Sequence, residues 1–269
     1  WWRRLGVEAA VAGLALILGT LVAFHYHQLG LTLSHYDARG HLVVARRIID
    51  SITPGWQQIG AVWLPLPHLL NALPVQVDAF YRTGASAVAI SILSFALAAG
   101  ALAWIVHAST GSAAAAVVGA SVFALNPNVL YLQSTPMTEP LLLGLTSLGV
   151  ALLLAFHREG SRVSSWTVGA VLALACLTRY EAWPVTCAAL GIGLIGGSIA
   201  ALLMALDIGG GSISLDGHGV YHGPSAWAAP FLLLAGIVLL TGVMHLVRAI
   251  GRGHGTLAKH FLVARSDAG

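Results

Sequence analysis

The chain alternates long apolar runs with short polar or proline-marked breaks, and the runs are long enough to be read as membrane helices. About 20 apolar residues coiled as a helix cover the roughly 30 Å hydrocarbon core while satisfying their own backbone hydrogen bonds. Runs of this kind fall at residues 5–24, 84–107, 112–125, 137–156, 163–177 and 231–247. A further apolar stretch, 183–206, is interrupted by Gly191, Gly193, Gly196 and Gly197, small residues that permit close helix contact. The pattern predicts an all-α, polytopic transmembrane bundle.

The segment between the first two runs, residues 25–83, is mixed in character. Across 37–51, Leu42, Val43, Ala45, Ile48 and Ile49 make an apolar face, opposite Arg39, Arg46, Arg47 and Asp50, which predicts an amphipathic helix lying at the interface. The stretch 63–77 reads as a second interfacial helical segment, broken by Pro65, Pro67 and Pro74 into at best a series of short turns. Beyond about Leu190 the texture becomes glycine-rich, with a Gly/Ser/His loop at 207–224 and a basic tail. This divides the chain into a region 1–190, with about five spans, and a separate helical hairpin 191–269.

Composition strengthens the membrane reading. Of 269 residues, 57% are hydrophobic and 9% charged, whereas soluble domains carry about a quarter of their residues as charges. The net charge of +3 is too sparse for a nucleic-acid face, and nucleic acid is excluded as a partner in favour of the lipid bilayer. Cys176 and Cys187 lack CxxC spacing and read as small apolar side chains. Arg3 and Arg4 precede the first run without an A-x-A-like cleavage site after it, so an uncleaved first span is expected. With Arg158 and Arg162 between the fourth and fifth runs, these arginines set the N-terminus in the cytoplasm. Segment 25–83, the turn 126–135 and the tripeptide 179–181 then share the outer face. Arg39, Arg46, Arg47 and Arg82 fall on that face too, against the positive-inside bias.

Acidic residues beside membrane spans are costly and mark function by default. Asp37, Glu139 and Glu181 all fall on the expected outer face, close to Arg179 and Tyr180 in sequence or topology. A carboxylate there accepts a proton from a hydroxyl, and an arginine holds a phosphate through two parallel hydrogen bonds. Each residue has a structural alternative. Asp37 can cap the helix that follows, Glu139 can complement the dipole of its helix with Pro140 in the first turn, and Arg179 can pair with Glu181. Of the twelve histidines, His35 and His41 bracket Asp37 and with it form a candidate divalent-metal set; His218 and His222 form another pair. Trp56, Trp63, Trp104, Trp166, Trp183 and Trp227 fit an interfacial aromatic belt.

The motifs Trp56-Gln57-Gln58-Ile59-Gly60-Ala61-Val62-Trp63-Leu64-Pro65, Asn126-Pro127-Asn128, Thr135-Pro136-Met137-Thr138-Glu139-Pro140 and Thr178-Arg179-Tyr180-Glu181 follow a first span and an acidic outer loop. Over roughly residues 5–188 this order resembles the N-terminal part of the GT-C type glycosyltransferases, multi-spanning enzymes that use polyprenyl-phosphate sugars. The resemblance implies Asp37 as the first-loop catalytic carboxylate, which deprotonates the acceptor or helps to hold a metal. It implies Glu139 as the second acidic position and Arg179 as the donor-phosphate ligand, with Tyr180 and Glu181 beside it. Many members carry an adjacent Asp-Glu pair where this chain has Asp37-Ala38, and members are longer. The tail, with Tyr221-His222-Gly223-Pro224 and Met244-His245-Leu246-Val247-Arg248, resembles the membrane part of bacterial sensor proteins, and the bacterial inner membrane is the expected location. The alternative expectation is a non-catalytic accessory subunit packed against other membrane subunits of a larger complex. A small-solute transporter is disfavoured, because neither paired broken spans nor an inverted repeat is visible.

Overall fold

The computed structural model describes residues 6–60, 62–158 and 161–191. The chain divides into two compact units, Trp1–Thr186 and Cys187–Gly269, and the description that follows concerns the first. The expected run at 231–247, the loop 207–224 and the pair His218/His222 lie outside the described residues, as does most of 183–206.

The described residues form helices α1 (Val7–Gln28), α2 (Tyr36–Arg47), α3 (Pro65–Ala72), α4 (Asp78–Thr83), α5 (Ala85–Thr110), α6 (Ala113–Ala124), α7 (Pro127–Gln133), α8 (Glu139–Phe156) and α9 (Ser165–Cys176). Short 3-10 turns at Trp56–Ile59 and Pro74–Gln76 lie between α2 and α4. Among them, α1, α5 and α8 are long and apolar enough to cross a membrane, and the bent pair α6–α7 makes a fourth if it counts as one span. Among the described residues this makes three or four spans by length and composition, where the sequence predicts about five over 1–190. The 112–125 run yields only 12 helical residues, because Asn126-Pro127 ends α6 and turns the chain by 66° into α7. Pro127 has no N–H to continue the ladder, and Asn126 Oδ1 accepts instead from the Asn128 N–H at 2.9 Å, starting a new helix. The 163–177 run likewise folds as the 12-residue α9, about 18 Å long at 1.5 Å per residue, short of the hydrocarbon thickness.

Helix α5 is the hub, packed against α1, α6 and α8. Small side chains allow this: Ala96, Ala98, Ala99, Ala101 and Ala103 are all buried along it, and Phe95 fills the space between α1 and α6. At Gly144 of α8 a Cβ would lie 2.8 Å from the Ser94 carbonyl oxygen, so the α5 and α8 backbones touch there. Buried polar groups lock the assembly. Gln133 Nε2 donates to the Gly19 carbonyl of α1 at 3.1 Å, and Ser91 Oγ donates to the Thr135 and Met137 carbonyls that lead into α8. Leu14, Ile17, Leu21, Phe24, Val118 and Val122 point away from the core and are exposed.

The helices give the unit two polar ends. At one, Glu8 at the start of α1 is buried and its Oε1 sits 2.7 Å from His107 Nδ1 near the end of α5. Arg158 after α8 donates to the Ala108 carbonyl and lies over the Trp104 ring. The opposite end carries α2, α3, α4 and the loops before α8 and after α9.

The amphipathic helix of the first loop is present but shifted and shorter than expected: α2 spans Tyr36–Arg47, not 37–51. Its buried face is Ala38, His41, Leu42 and Ala45, while Val43 and Ile49, expected on that face, are exposed. Val43 is one residue past Leu42, about 100° round the helix, and Ile49 lies beyond the helix end. Arg46 explains part of the arginine excess, since it bridges Asp50 at 2.9 Å and Asp78 at 2.6 Å and covers the Tyr81 ring.

Candidate functional site

The loop after α9 brings Arg179 to the first turn of α8. Its Nη1 donates to Glu139 Oε1 at 2.9 Å and to Thr138 Oγ1 at 3.1 Å, and its Nε and Nη2 reach Glu181 Oε2 and Oε1 at 3.2 and 2.7 Å. Thr138 is the residue before the helix, Glu139 opens it and Pro140 follows, so the carboxylate sits where the helix dipole favours negative charge. Burial would depress the Arg179 pKa, but the Glu181 hydrogen bonds and the charges of Glu139, Glu181 and Asp37 outweigh it and hold the pKa above the usual arginine value. The same contact holds the Glu181 carboxyl below its usual range, and burial raises the Tyr180 phenol. Glu139 Oε2 is buried without a hydrogen-bond partner.

Asp37 joins this cluster through its charge on Arg179. Of the two uses the sequence left open for Asp37, capping of α2 is not the one it takes. The capping residue is His35, whose Nδ1 accepts from the Asp37 N–H at 3.2 Å, so the Asp37 carboxylate is not spent on that role. The sequence-predicted Asp37, Glu139, Arg179, Tyr180 and Glu181 thus lie at one end of the bundle.

One turn after Asp37 on α2, His41 meets a partner that sequence reading left among the unassigned histidines. His41 Nδ1 lies 3.0 Å from His68 Nε2, and His68 Nδ1 lies 3.0 Å from the Leu64 carbonyl oxygen. Trp63 packs on both rings, with centroids 4.5 Å from His41 and 5.7 Å from His68. The start of α3 is pinned to the arginine loop by its backbone: between Pro65 and Pro67, which have no N–H, Leu66 donates to the Leu177 carbonyl at the end of α9. The signal was present as Leu64-Pro65-Leu66-Pro67-His68, with a histidine one turn beyond a proline helix start.

Both rings are buried. Burial, with the charges of His68, Arg179 and His35, drives the His41 pKa down to about 3, and burial lowers His68 despite its bond to Leu64. The rings are therefore neutral at neutral pH, and the carbonyl fixes their tautomers. A carbonyl only accepts, so His68 carries its proton on Nδ1 and leaves Nε2 bare; His41 then donates from Nδ1 and keeps a bare Nε2.

Between these groups lies a cavity of about 30 Å³ whose lining includes His41, His68, Asn71, Ser91 and Thr138. The candidate metal set does not assemble. Among the described residues no three His, Cys, Asp or Glu side chains converge, with His35 Nδ1 and His41 Nδ1 both engaged in hydrogen bonds. No protein-family model, curated protein or solved structure matches the chain.

Proposed function

We propose that the chain is an integral membrane glycosyltransferase of the GT-C kind, moving a sugar from a polyprenyl-phosphate donor to an acceptor hydroxyl at the outer membrane face. The observation that carries this reading is the meeting of Arg179 with Glu139, Glu181 and the charge of Asp37, from three segments far apart in sequence. The exposed Leu14, Ile17, Leu21 and Phe24 of α1 suit contact with lipid chains. With Arg158 and the start of α1 at the cytoplasmic end, the cluster lies at the outer headgroup level, where the phosphate of a lipid carrier sits.

The chemistry needs an acceptor oxygen, a leaving phosphate and a place for the proton. Arg179 holds the phosphate. Its Glu181 partner is 57% exposed and two residues away, so a phosphate displaces that carboxylate at little cost and takes over the paired Nε and Nη2 donors. The Glu139 and Thr138 contacts stay and keep the guanidinium oriented. The acceptor hydroxyl oxygen attacks the anomeric carbon, the carbon–oxygen bond to phosphate breaks with its electron pair leaving on the phosphate, and the hydroxyl proton passes to Asp37. Attack opposite the leaving group inverts the anomeric centre.

The test uses the full chain in nanodiscs with a polyprenyl-phosphate hexose. Asp37→Asn is expected to cut kcat by about 100-fold or more with donor binding retained, in line with loss of a general base. Arg179→Ala is expected to weaken donor binding. Unchanged turnover in the first variant and unchanged binding in the second would sink the reading.

A further inference from the structure

The cavity between α2, α3, α5 and the start of α8 is lined mainly by apolar side chains, with His41, His68, Asn71, Ser91 and Thr138 as its polar points. At about 30 Å³ it has room for two water-sized groups. A sugar ring is far too large for it. A single exocyclic arm of one carbon and one oxygen is the right size.

The hydrogen bonds already made decide what the cavity wants. Asn71 Oδ1 is taken by the Ser86 hydroxyl at 2.6 Å, which leaves the Asn71 NH2 as a donor. Ser91 Oγ spends its proton on the Thr135 and Met137 carbonyls. The Leu64–His68–His41 chain leaves His41 Nε2 as an acceptor. Burial holds the His41 pKa far below its ordinary value, so that lone pair is unprotonated at neutral pH. His41 and Asn71 both line this small space, and a free acceptor on one with a free donor on the other is complementary to a hydroxyl, which gives one hydrogen bond and receives another. Thr138 couples the space to the anion site, since it lines the cavity while its Oγ1 accepts from Arg179.

We propose that this cavity is a specificity subsite for one hydroxymethyl arm of the ligand whose phosphate Arg179 holds, the arm's hydroxyl donating to His41 Nε2 and accepting from the Asn71 carboxamide. The proposal rests on the phosphate reading above and adds the sugar class: a hexose with a free exocyclic hydroxymethyl group, in preference to a pentose or a 6-deoxy sugar. An unmet buried donor and acceptor penalise the ligand that lacks the arm.

The experiment compares three probes on the full chain in nanodiscs: a short-chain polyprenyl-phosphate hexose, its 6-deoxy counterpart and the bare polyprenyl phosphate. The hexose is expected to bind about ten-fold more tightly than the 6-deoxy probe, the worth of one well-made hydrogen-bonded hydroxyl. Ala87→Val, which fills the cavity from α5, and Asn71→Asp, which replaces the donor but keeps the bond to Ser86, are each expected to reduce that ratio below about two-fold. Neither should change binding of the bare phosphate, which Arg179→Ala should abolish. Equal binding of hexose and 6-deoxy probes in the parent chain overturns the subsite while leaving the phosphate reading intact. A ten-fold ratio that survives Ala87→Val also overturns it. Failure of the bare phosphate to depend on Arg179 overturns the reading on which the subsite stands.

Discussion

The two carboxylates on Arg179 make similar hydrogen bonds, yet they should differ several-fold in what they contribute to the fold. Glu139 is 25% exposed and sits 40 residues away in sequence; Glu181 is 57% exposed and two residues away. An exposed pair gains little against water, and a pair separated by two residues is partly formed in the unfolded chain as well, so it cancels from the stability difference. The partly buried, long-range pair cancels far less. A charge-assisted hydrogen bond of that kind is worth about 1.5–3 kcal/mol, and allowing for its residual exposure we expect a coupling of about 1.5 kcal/mol for Arg179–Glu139 against about 0–0.5 kcal/mol for Arg179–Glu181.

Double-mutant cycles resolve the difference. Arg179→Met is combined with Glu139→Met and, separately, with Glu181→Met, and unfolding is followed in mixed micelles as the fraction of denaturing detergent rises. Met removes the charge, matches Glu in length and keeps the apolar stem of Arg179. A Glu181 coupling equal to or larger than the Glu139 coupling would refute the reasoning. It would also remove the basis for treating Glu181 as the partner that a phosphate displaces.

Three further outcomes follow from the same geometry. Because the folded pKa of His41 is near 3 and its unfolded value near 6.5, the unfolded chain binds the extra proton between them, so stability is lost as pH falls from about 6.5 towards 3, at up to about 1.4 kcal/mol per pH unit for this ring. Unfolding measured from pH 7.5 to 5 should show that slope, and His41→Gln should reduce it by up to one proton; an unchanged slope counts against a neutral, buried ring. Gly144→Ala should destabilise by about 1–3 kcal/mol in the same unfolding assay, because its Cβ meets the Ser94 backbone, whereas Gly13→Ala, with no atom within 4 Å, should not destabilise. Glu181→Gln should tighten binding of bare polyprenyl phosphate by up to about five-fold, the worth of removing a competing exposed ion pair, and weaker binding would argue that Glu181 helps to hold the ligand.

The apolar runs were legible because a helix in lipid must be apolar over its whole length, a property written residue by residue in the chain. Their limits were not, since the end of α6 depends on a single Asn-Pro step whose bend is local chemistry that averaged hydropathy hides. The acidic and arginine residues of the site were visible for the same reason as the spans: charge at a span boundary is conspicuous. Which partner each one takes was open, and for Asp37 the sequence offered capping as an equally good use. That question turned on His35, whose ring nitrogen can accept from the same N–H as a carboxylate would, and a histidine in that position carries no strong sequence signal.

The His41–His68 pair lay further from view, because its chemistry exists only in the meeting of two helices 27 residues apart and in the backbone carbonyl behind them. A lone histidine in a sequence has two tautomers and an unsettled charge. Burial removes the charge, the Leu64 carbonyl selects the tautomer of His68, and His68 selects that of His41, so three uninformative residues become one lone pair of fixed position. The site is therefore more determined than its parts: Arg179 supplies the fixed positive charge, Asp37 a carboxylate freed from capping, and His41 an acceptor whose protonation no ordinary pH changes. Substituting His68 by Phe, which preserves burial but breaks the chain of bonds, separates these contributions. It should leave phosphate binding on Arg179 intact and release His41 to place its proton on either nitrogen, visible as a change in the nitrogen-15 signals of that ring.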